Sequence, residues 1–433
     1  MTSSFRTFLS YRNVVVLAFG NLTVMLGYGM FTPIMPLYLY NVFGATMFIV
    51  GLFTSIFGLM RAILQPVMGR VSDRIGRKKM IVPALFSYSI IAYLYSTAKT
   101  GYDFLGYRAG QGIASSTLWP ASDALIADTI PTKQRAKALG VISMAYQVGD
   151  VTGFGLGALV AGFLGFVEVF YVCALFAFAG AMISLLFLRE PPLMIGKQLV
   201  MKDGPKGVLP KDDPPDPATI GDQASNEVGT KSSSSSDRRR ILVFLGAMNF
   251  SQQLSFSMLE VILSIIIVNV YLGSSVDLAS VYISFGLIGA VAAVIGGSIA
   301  EKYGKRKLLL MGAFGSIGFW FCLLLTNTLL SLAAVISIFV FIIGVSGPAV
   351  MALVAELTPP GKRGKNYGYI GTTNDAGLVF GPIIGGLLLD YFMKSVGLSL
   401  LNAMQSLFLI NVVFAVIAAV VVVIGVREPK AKY

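Results

Sequence analysis

The chain has 433 residues, 55% of them hydrophobic and 12% charged, with a mean hydropathy of +0.77. Soluble domains carry about 25% charged residues, so this composition excludes an ordinary soluble enzyme or binding module and places the chain in a bilayer. The net charge of +12 sits in short basic clusters between apolar runs rather than on one face, a topological pattern that does not point to nucleic acid.

The N-terminus is short and polar, and the first apolar run, Val14 to Tyr40, is too long for a signal-peptide core, so it is expected to remain as the first span. Apolar stretches of about 20 residues cross a hydrocarbon core as helices. Such stretches predict six spans at 14–40, 45–68, 79–98, 102–127, 136–163 and 167–188, and six more at 241–271, 278–299, 306–327, 329–355, 366–391 and 398–426. Between a first bundle, 1–189, and a second, 241–433, the segment 190–240 is rich in Pro, Ser, Asp and Lys and reads as a disordered cytoplasmic linker. Lys99 and Lys394 fall in loops on one side, Arg61 and Arg108 inside spans, and every other Lys and Arg on the opposite side, which makes both termini cytoplasmic. No histidine is present, so there is no His-ligated metal site and proton coupling must use carboxylates. Cys173 and Cys322 stand in apolar spans of different bundles and read as packing residues.

The two bundles are copies of one template. The loop Gly69-Arg70-Val71-Ser72-Asp73-Arg74-Ile75-Gly76-Arg77-Lys78-Lys79 returns 228 residues later as Gly297 to Lys307, and the same offset pairs Asn21 with Asn249, Pro120 with Pro348, Gly149 with Gly377 and Gly153 with Gly381. After the fifth span the register slips by ten residues, yet the bundles close alike on Arg189-Glu190-Pro191 and Arg427-Glu428-Pro429. Parallel repeats of this kind are the layout of a secondary transporter. No Gly-x-x-x-x-Gly-Lys-Ser/Thr loop is present to bind a nucleotide.

These residues resemble the major facilitator superfamily over essentially the whole chain outside the linker. Residues 69–79 and 297–307 are similar to its loop signature, Arg108-Ala109-Gly110-Gln111-Gly112 resembles its fourth-span proton-coupling motif, and Asn21, Gly27, Gly29, Pro33 and Pro36 resemble the first span of its drug:proton antiporter branch. The fifth span keeps only Gly149, Gly153 and Gly157 of the antiporter motif, whereas the eleventh holds it intact as Gly377, Gly381-Pro382 and Gly385-Gly386. Asn21 stands where that branch often has an acid. The resemblance implies an all-α membrane protein of twelve transmembrane helices in two pseudo-symmetric halves. It implies a multi-pass transporter of the plasma membrane, functional as a monomer, not an enzyme, without cofactor or metal.

Ionisable groups inside spans cost about 3 kcal/mol at mid-membrane, so each needs a partner, a wet cavity or a function. Arg108, Gln111, Ser115 and Trp119 share a helix face in span four, and Asp150 on span five is the expected partner of Arg108, with a permanent structural pair as the bland alternative. Arg61 either pairs with an acid or contacts substrate. Asn249, Gln253, Phe256 and Glu260 form a polar stripe on span seven, where Glu260 either meets a cationic substrate, carries a proton or is merely wet. Asn374-Asp375 opens the eleventh span, and Asp375 serves either coupling or the helix dipole. Tyr28, with Met25, Met30, Phe31 and Met35, forms either an adaptable wall or ordinary packing.

The proton-coupling candidates are therefore Asp375, Asp150, Glu260 and Arg108, and the cavity candidates Asn21, Tyr28, Arg61, Gln111, Ser115, Trp119, Asn249, Gln253, Phe256 and Asn374. The clusters Gly69, Gly76, Asp73, Arg77 and Asp128, and Glu301, Lys305 and Glu356, are expected to latch the cytoplasmic side and to break when the halves rock; the alternative is topology alone. The expected activity is proton-coupled export of small amphipathic or cationic compounds by alternating access. Proton-linked uptake of a metabolite or organic anion, and a non-transporting sensor on the same scaffold, are the rival readings.

Overall fold

The computed structural model describes residues 12–130, 132–190, 235–358 and 363–425, and the described residues are helical almost throughout. Twelve long helices follow in order: α1 (Arg12–Phe31, extended by Ile34–Leu37 and a π turn at Tyr38–Val42), α2 (Met47–Ile75), α3 (Arg77–Tyr95), α4 (Gly101–Thr129), α5 (Thr132–Phe163) and α6 (Phe166–Phe187). Then come α7 (Ser235–Ile265, with a π turn at Ile266–Val270), α8 (Ser275–Tyr303), α9 (Lys305–Leu324), α10 (Leu329–Leu357), α11 (Arg363–Asp390, with a π turn at Tyr391–Ser395) and α12 (Leu400–Gly425). Among the described residues nine helices are long and apolar enough to cross a membrane; α3, α4 and α5 carry more polar residues. The seventh helix begins at Ser235, so Arg238 to Arg240, expected in the linker, lie in its first turns, and residues 191–234 of the expected linker are outside the described residues.

Local signals set the helix ends. Thr100 and Thr328, 228 residues apart, each close a capping box at the start of α4 and α10 by accepting from the backbone N–H three residues on. Gly76 and Gly304, a second such pair, turn α2 into α3 and α8 into α9 at φ of +113° and +88°, which only glycine adopts without strain.

Packing repeats with the sequence. Helix α1 lies against α5 and α6, as α7 lies against α11 and α12; α4 bridges α2 and α3, as α10 bridges α8 and α9. The two sets meet through α2 on α11 and α5 on α8. A Cβ on Gly149 would stand 2.5 Å from the Leu22 carbonyl oxygen, and one on Gly377 would stand 2.9 Å from that of Phe250, which is the same contact one repeat later. The glycines let the backbones approach this closely.

The core is divided unequally along the molecule. At the end away from the basic loops one apolar cluster joins both halves, from Met30, Met35 and Phe53 to Leu254, Met258 and Ile266. At the basic end two separate clusters replace it, one around Leu17, Leu85 and Leu125 and the other around Leu245, Leu309 and Leu353. Among the described residues the apolar core is thus continuous across the halves at one end, the fused end, and divided between them at the other.

Candidate transport site

A cavity of about 510 Å³ occupies the gap between α5 and helices α7 to α11, within the range of small-molecule sites. Its polar lining is Gln147, Asp150, Asn249, Gln252, Gln253, Ser316, Ser346 and Asn374, and Leu309 and Met351 line it toward the basic ends of α9 and α10. The aromatic rings of Phe154, Phe256, Phe285, Trp320 and Phe339 complete the lining. Phe256 stacks on Phe285 at 5.8 Å between centroids, Phe339 stacks on Phe319 at 3.8 Å, and Trp320 meets Phe319 edge-on at 5.0 Å. Offset stacks and edge contacts of this kind fix the rings against one another.

Toward the fused end a second chamber of about 190 Å³ shares Asp150, Phe154, Phe256, Phe285 and Phe339 with the first and adds Thr32, Glu260 and Tyr282. Asp150 of α5 and Glu260 of α7 therefore face one space from opposite halves. Of the span-seven stripe, Asn249, Gln253 and Phe256 line the main cavity and Glu260 the chamber behind it.

Arg108 is not paired with Asp150. Its Nη1 donates to Gln111 Oε1 at 2.7 Å and its Nη2 to the Tyr28 hydroxyl at 3.1 Å, while Phe57, Phe53, Phe31 and Tyr28 surround the guanidinium with ring centroids 4.4, 4.9, 5.1 and 5.3 Å away. Only 5% of the residue is exposed. Two hydrogen bonds to a charged group contribute about 1.5–3 kcal/mol each, and cation–π contacts add up to about 2 kcal/mol when desolvated, enough to hold a buried guanidinium without a direct ion pair. The expected acid partner fails because α5 turns Asp150 toward α7.

Arg61 of α2 and Asp375 of α11 form an ion pair across the halves, Nη2 to Oδ1 at 3.6 Å, with both side chains partly exposed. This selects the pairing reading for Arg61. Asp375 lies more than three turns inside α11, so the dipole reading of this residue is corrected: the first turn begins at Arg363.

The other first-half candidates lie away from the cavity. Asn21 is buried in α1, Ser115 is buried beside Tyr88, and Trp119 packs edge-on against Tyr146 at 5.1 Å. Gln111 serves Arg108 and also accepts from the Tyr95 hydroxyl at 3.3 Å. Met25, Met30, Phe31 and Met35 are core residues, which favours packing for the first-span wall, while Tyr28 and Phe31 clasp Arg108. The site is thus off-centre, toward the second half.

At the basic end, Arg77 binds Asp73 at 2.5 Å, Asp128 at 3.1 Å and the Ser72 hydroxyl at 2.7 Å, and Lys305 binds Glu356 one repeat later. Gly69 packs near Pro120, and the side chain of Glu301 is outside the described residues. These pairs were expected to part when this end opens. Each is made inside one half, tying α2, α3 and α4 together or α9 to α10. Glu190 joins the first cluster unforeseen, accepting from the backbone N–H of Arg77 at 2.5 Å and of Lys78 at 2.7 Å. Its signal was the repeated Arg-Glu-Pro at the bundle ends. Phe285, Trp320 and Phe339 had none, since α8 to α10 are apolar on nearly every face and periodicity singles out no stripe.

Two pseudo-symmetric six-helix sets that share an apolar core at one end and line a cavity together are the architecture of a membrane transporter. The sequence matches the Major Facilitator Superfamily model over residues 17–231 and 245–433, and the chain belongs to that superfamily, a family of transporters of small molecules. It is a multi-pass protein of the plasma membrane.

It is 25% identical over 389 residues to an uncharacterized MFS-type transporter of Methanocaldococcus jannaschii, covering 88% of this chain and 92% of that one. It is 23% identical over 388 residues to a multi-drug resistance efflux pump PmrA homolog of Lactococcus lactis, covering 88% and 89%. Multidrug resistance protein 1 of Bacillus subtilis shares 36% identity over 169 residues, which is 38% of this chain and 42% of that protein. Among solved structures, a bacterial homolog of the human lysosomal transporter Spinster, in an inward-facing unoccupied conformation, superposes with a TM-score of 0.76 at 19% identity over 96% of each chain.

Proposed function

We propose that the chain is a proton-coupled exporter of small amphipathic or cationic compounds, working by alternating access, with the basic end in the cytoplasm and the conformation described here open inward. The observation that carries this reading is the cavity lined by Phe256, Phe285, Trp320 and Phe339, backed by a chamber that holds Asp150 and Glu260 from opposite halves. Stacked rings suit flat apolar bodies, and carboxylates suit an ammonium or a proton. The relatives named for multidrug resistance and efflux support export.

Proton coupling rests on Asp375, Asp150 and Glu260. Neutralising Asp375 would release Arg61 and loosen α2 from α11 at mid-depth, linking a proton to movement of the halves. An organic anion would need a free arginine, but Arg61 is paired and Arg108 is enclosed by rings, which weighs against the uptake reading. The basic-end clusters act here as braces that keep each half rigid while it rocks.

The test is proton movement in proteoliposomes with an acidic lumen, challenged with lipophilic cations, neutral drugs and organic anions. Proton release on adding a cation, lost in Asp375→Asn, is the expected outcome. Release that persists in Asp375→Asn but is lost in Glu260→Gln or Asp150→Asn moves coupling to the chamber. Proton movement in the direction of an added anion overturns export.

A further inference from the structure

The carboxylate of Asp390, at the last residue of α11, accepts the backbone N–H of Met47 at 3.2 Å on Oδ1 and that of Phe48 at 2.9 Å on Oδ2. These are the first two residues of α2, so a side chain from one half caps a helix that belongs to the other. A carboxylate there satisfies two of the N–H groups that a helix start leaves open and sits at the positive end of the helix dipole. It is held in place by Lys394, whose Nζ is 3.3 Å away and which stands four residues on in the π turn. Its side chain is only 14% exposed.

The repeat lacks this arrangement. The mate of Asp390 is Gly162 and the mate of Met47 is Ser275, and there a glycine merely packs against the serine side chain. The acid is therefore an addition to one side of a symmetric seam. Both N–H groups lose their partner as soon as the fused end parts, so the cap stabilises only the conformation in which that end is shut.

We infer that Asp390 is a positioning residue of the transport cycle: by capping α2 across the two halves it holds the end opposite the basic loops closed, and its loss shifts the population toward the state open at that end. A ligand or contact shifts such an equilibrium only by its differential interaction with the two states, and this contact exists in one of them. The inference rests on the alternating-access reading, but its readout needs neither substrate nor proton flux, so the two can fail separately.

The experiment is a distance measurement between spin labels on Tyr102→Cys and Leu330→Cys, repeat mates that are 71% and 81% exposed at the fused end, in full-length protein with Cys173 and Cys322 replaced, reconstituted in lipid. Asp390→Ala is expected to raise the ratio of long to short distances by about tenfold, the effect of losing one charged hydrogen bond's worth of bias. Asp390→Asn, which keeps one carbonyl acceptor, is expected to fall between wild type and alanine, and it serves alone should the alanine variant fail to fold. Unchanged distance ratios in Asp390→Asn and in any folded Asp390→Ala overturn the proposal, as does an equal shift from Asp390→Asn and Asp390→Ala, which would mean that the acceptor geometry is not what holds the end closed.

Discussion

Asn41 and Asn269, 228 residues apart, are copies of the same residue and hydrogen-bond to each other: Asn41 Nδ2 donates to Asn269 Oδ1 at 3.2 Å and Asn269 Nδ2 donates to Asn41 Oδ1 at 2.7 Å. Each sits in a single π turn, Tyr38–Val42 and Ile266–Val270, that ends its helix at the fused end. A residue that meets its own copy marks the pseudo-two-fold axis. Extra residues in a π turn re-aim a side chain, and here they turn two amides toward each other.

Replacing Asn41 by Leu leaves the Asn269 amide without its partner. The closed end should weaken by about 1 kcal/mol, and the double variant Asn41→Leu/Asn269→Leu should cost less than the sum of the singles. Distance populations across the fused end, measured on all three variants, check this; additive effects would mean the amides do not act as a pair.

Gly51 lies against the backbone carbonyl of Pro382 on the opposite half. A leucine there cannot be accommodated with the end shut, whereas each half still packs on its own core. Gly51→Leu should therefore give folded protein whose transport falls at least about tenfold, while Gly318→Leu, at a site with no neighbour within 4 Å, should leave transport unchanged. Solute uptake in vesicles with matched protein levels distinguishes them.

The stacked rings should contribute to ligand affinity in proportion to their contact. Phe339→Ala removes a partner of both Phe319 and Phe256 and should weaken binding of flat aromatic cations about 3–10-fold. Trp320 lines the cavity and Trp119 does not, so quenching of Trp320 in a Trp119→Phe background reads the affinity directly.

Arg108→Lys keeps the charge but has no planar fork to reach Gln111 and Tyr28 together. Transport should drop by about tenfold or more, and Tyr28→Phe, which removes one of the two hydrogen bonds, should drop it less. Initial rates in proteoliposomes order the three proteins; a fully active Arg108→Lys would show that charge alone is needed.

Glu190→Ala removes two acceptors from the start of α3, a loss of about 1 kcal/mol. The expected outcome is a lower unfolding temperature in detergent with the cavity's ligand affinity unchanged, since Glu190 lies at the basic end and outside the site.

Much of this protein follows from local pattern. Span number, helix length and the 228-residue duplication are legible because each depends on a stretch of neighbours: apolar length against a fixed bilayer thickness, and glycine where backbones touch. The Asn249–Glu260 stripe is legible for the same reason, since helical spacing puts those residues on one face. Periodicity does not say which helix that face will meet. The choice of Asp375 rather than another acid for Arg61, of four rings rather than Asp150 for Arg108, and of α2 as the helix capped by Asp390 joins residues from 51 to 343 positions apart. Such partners are set by how helices rotate and where the halves rest against each other, and a sum of many weak contacts across the seam decides that only when the whole chain has packed.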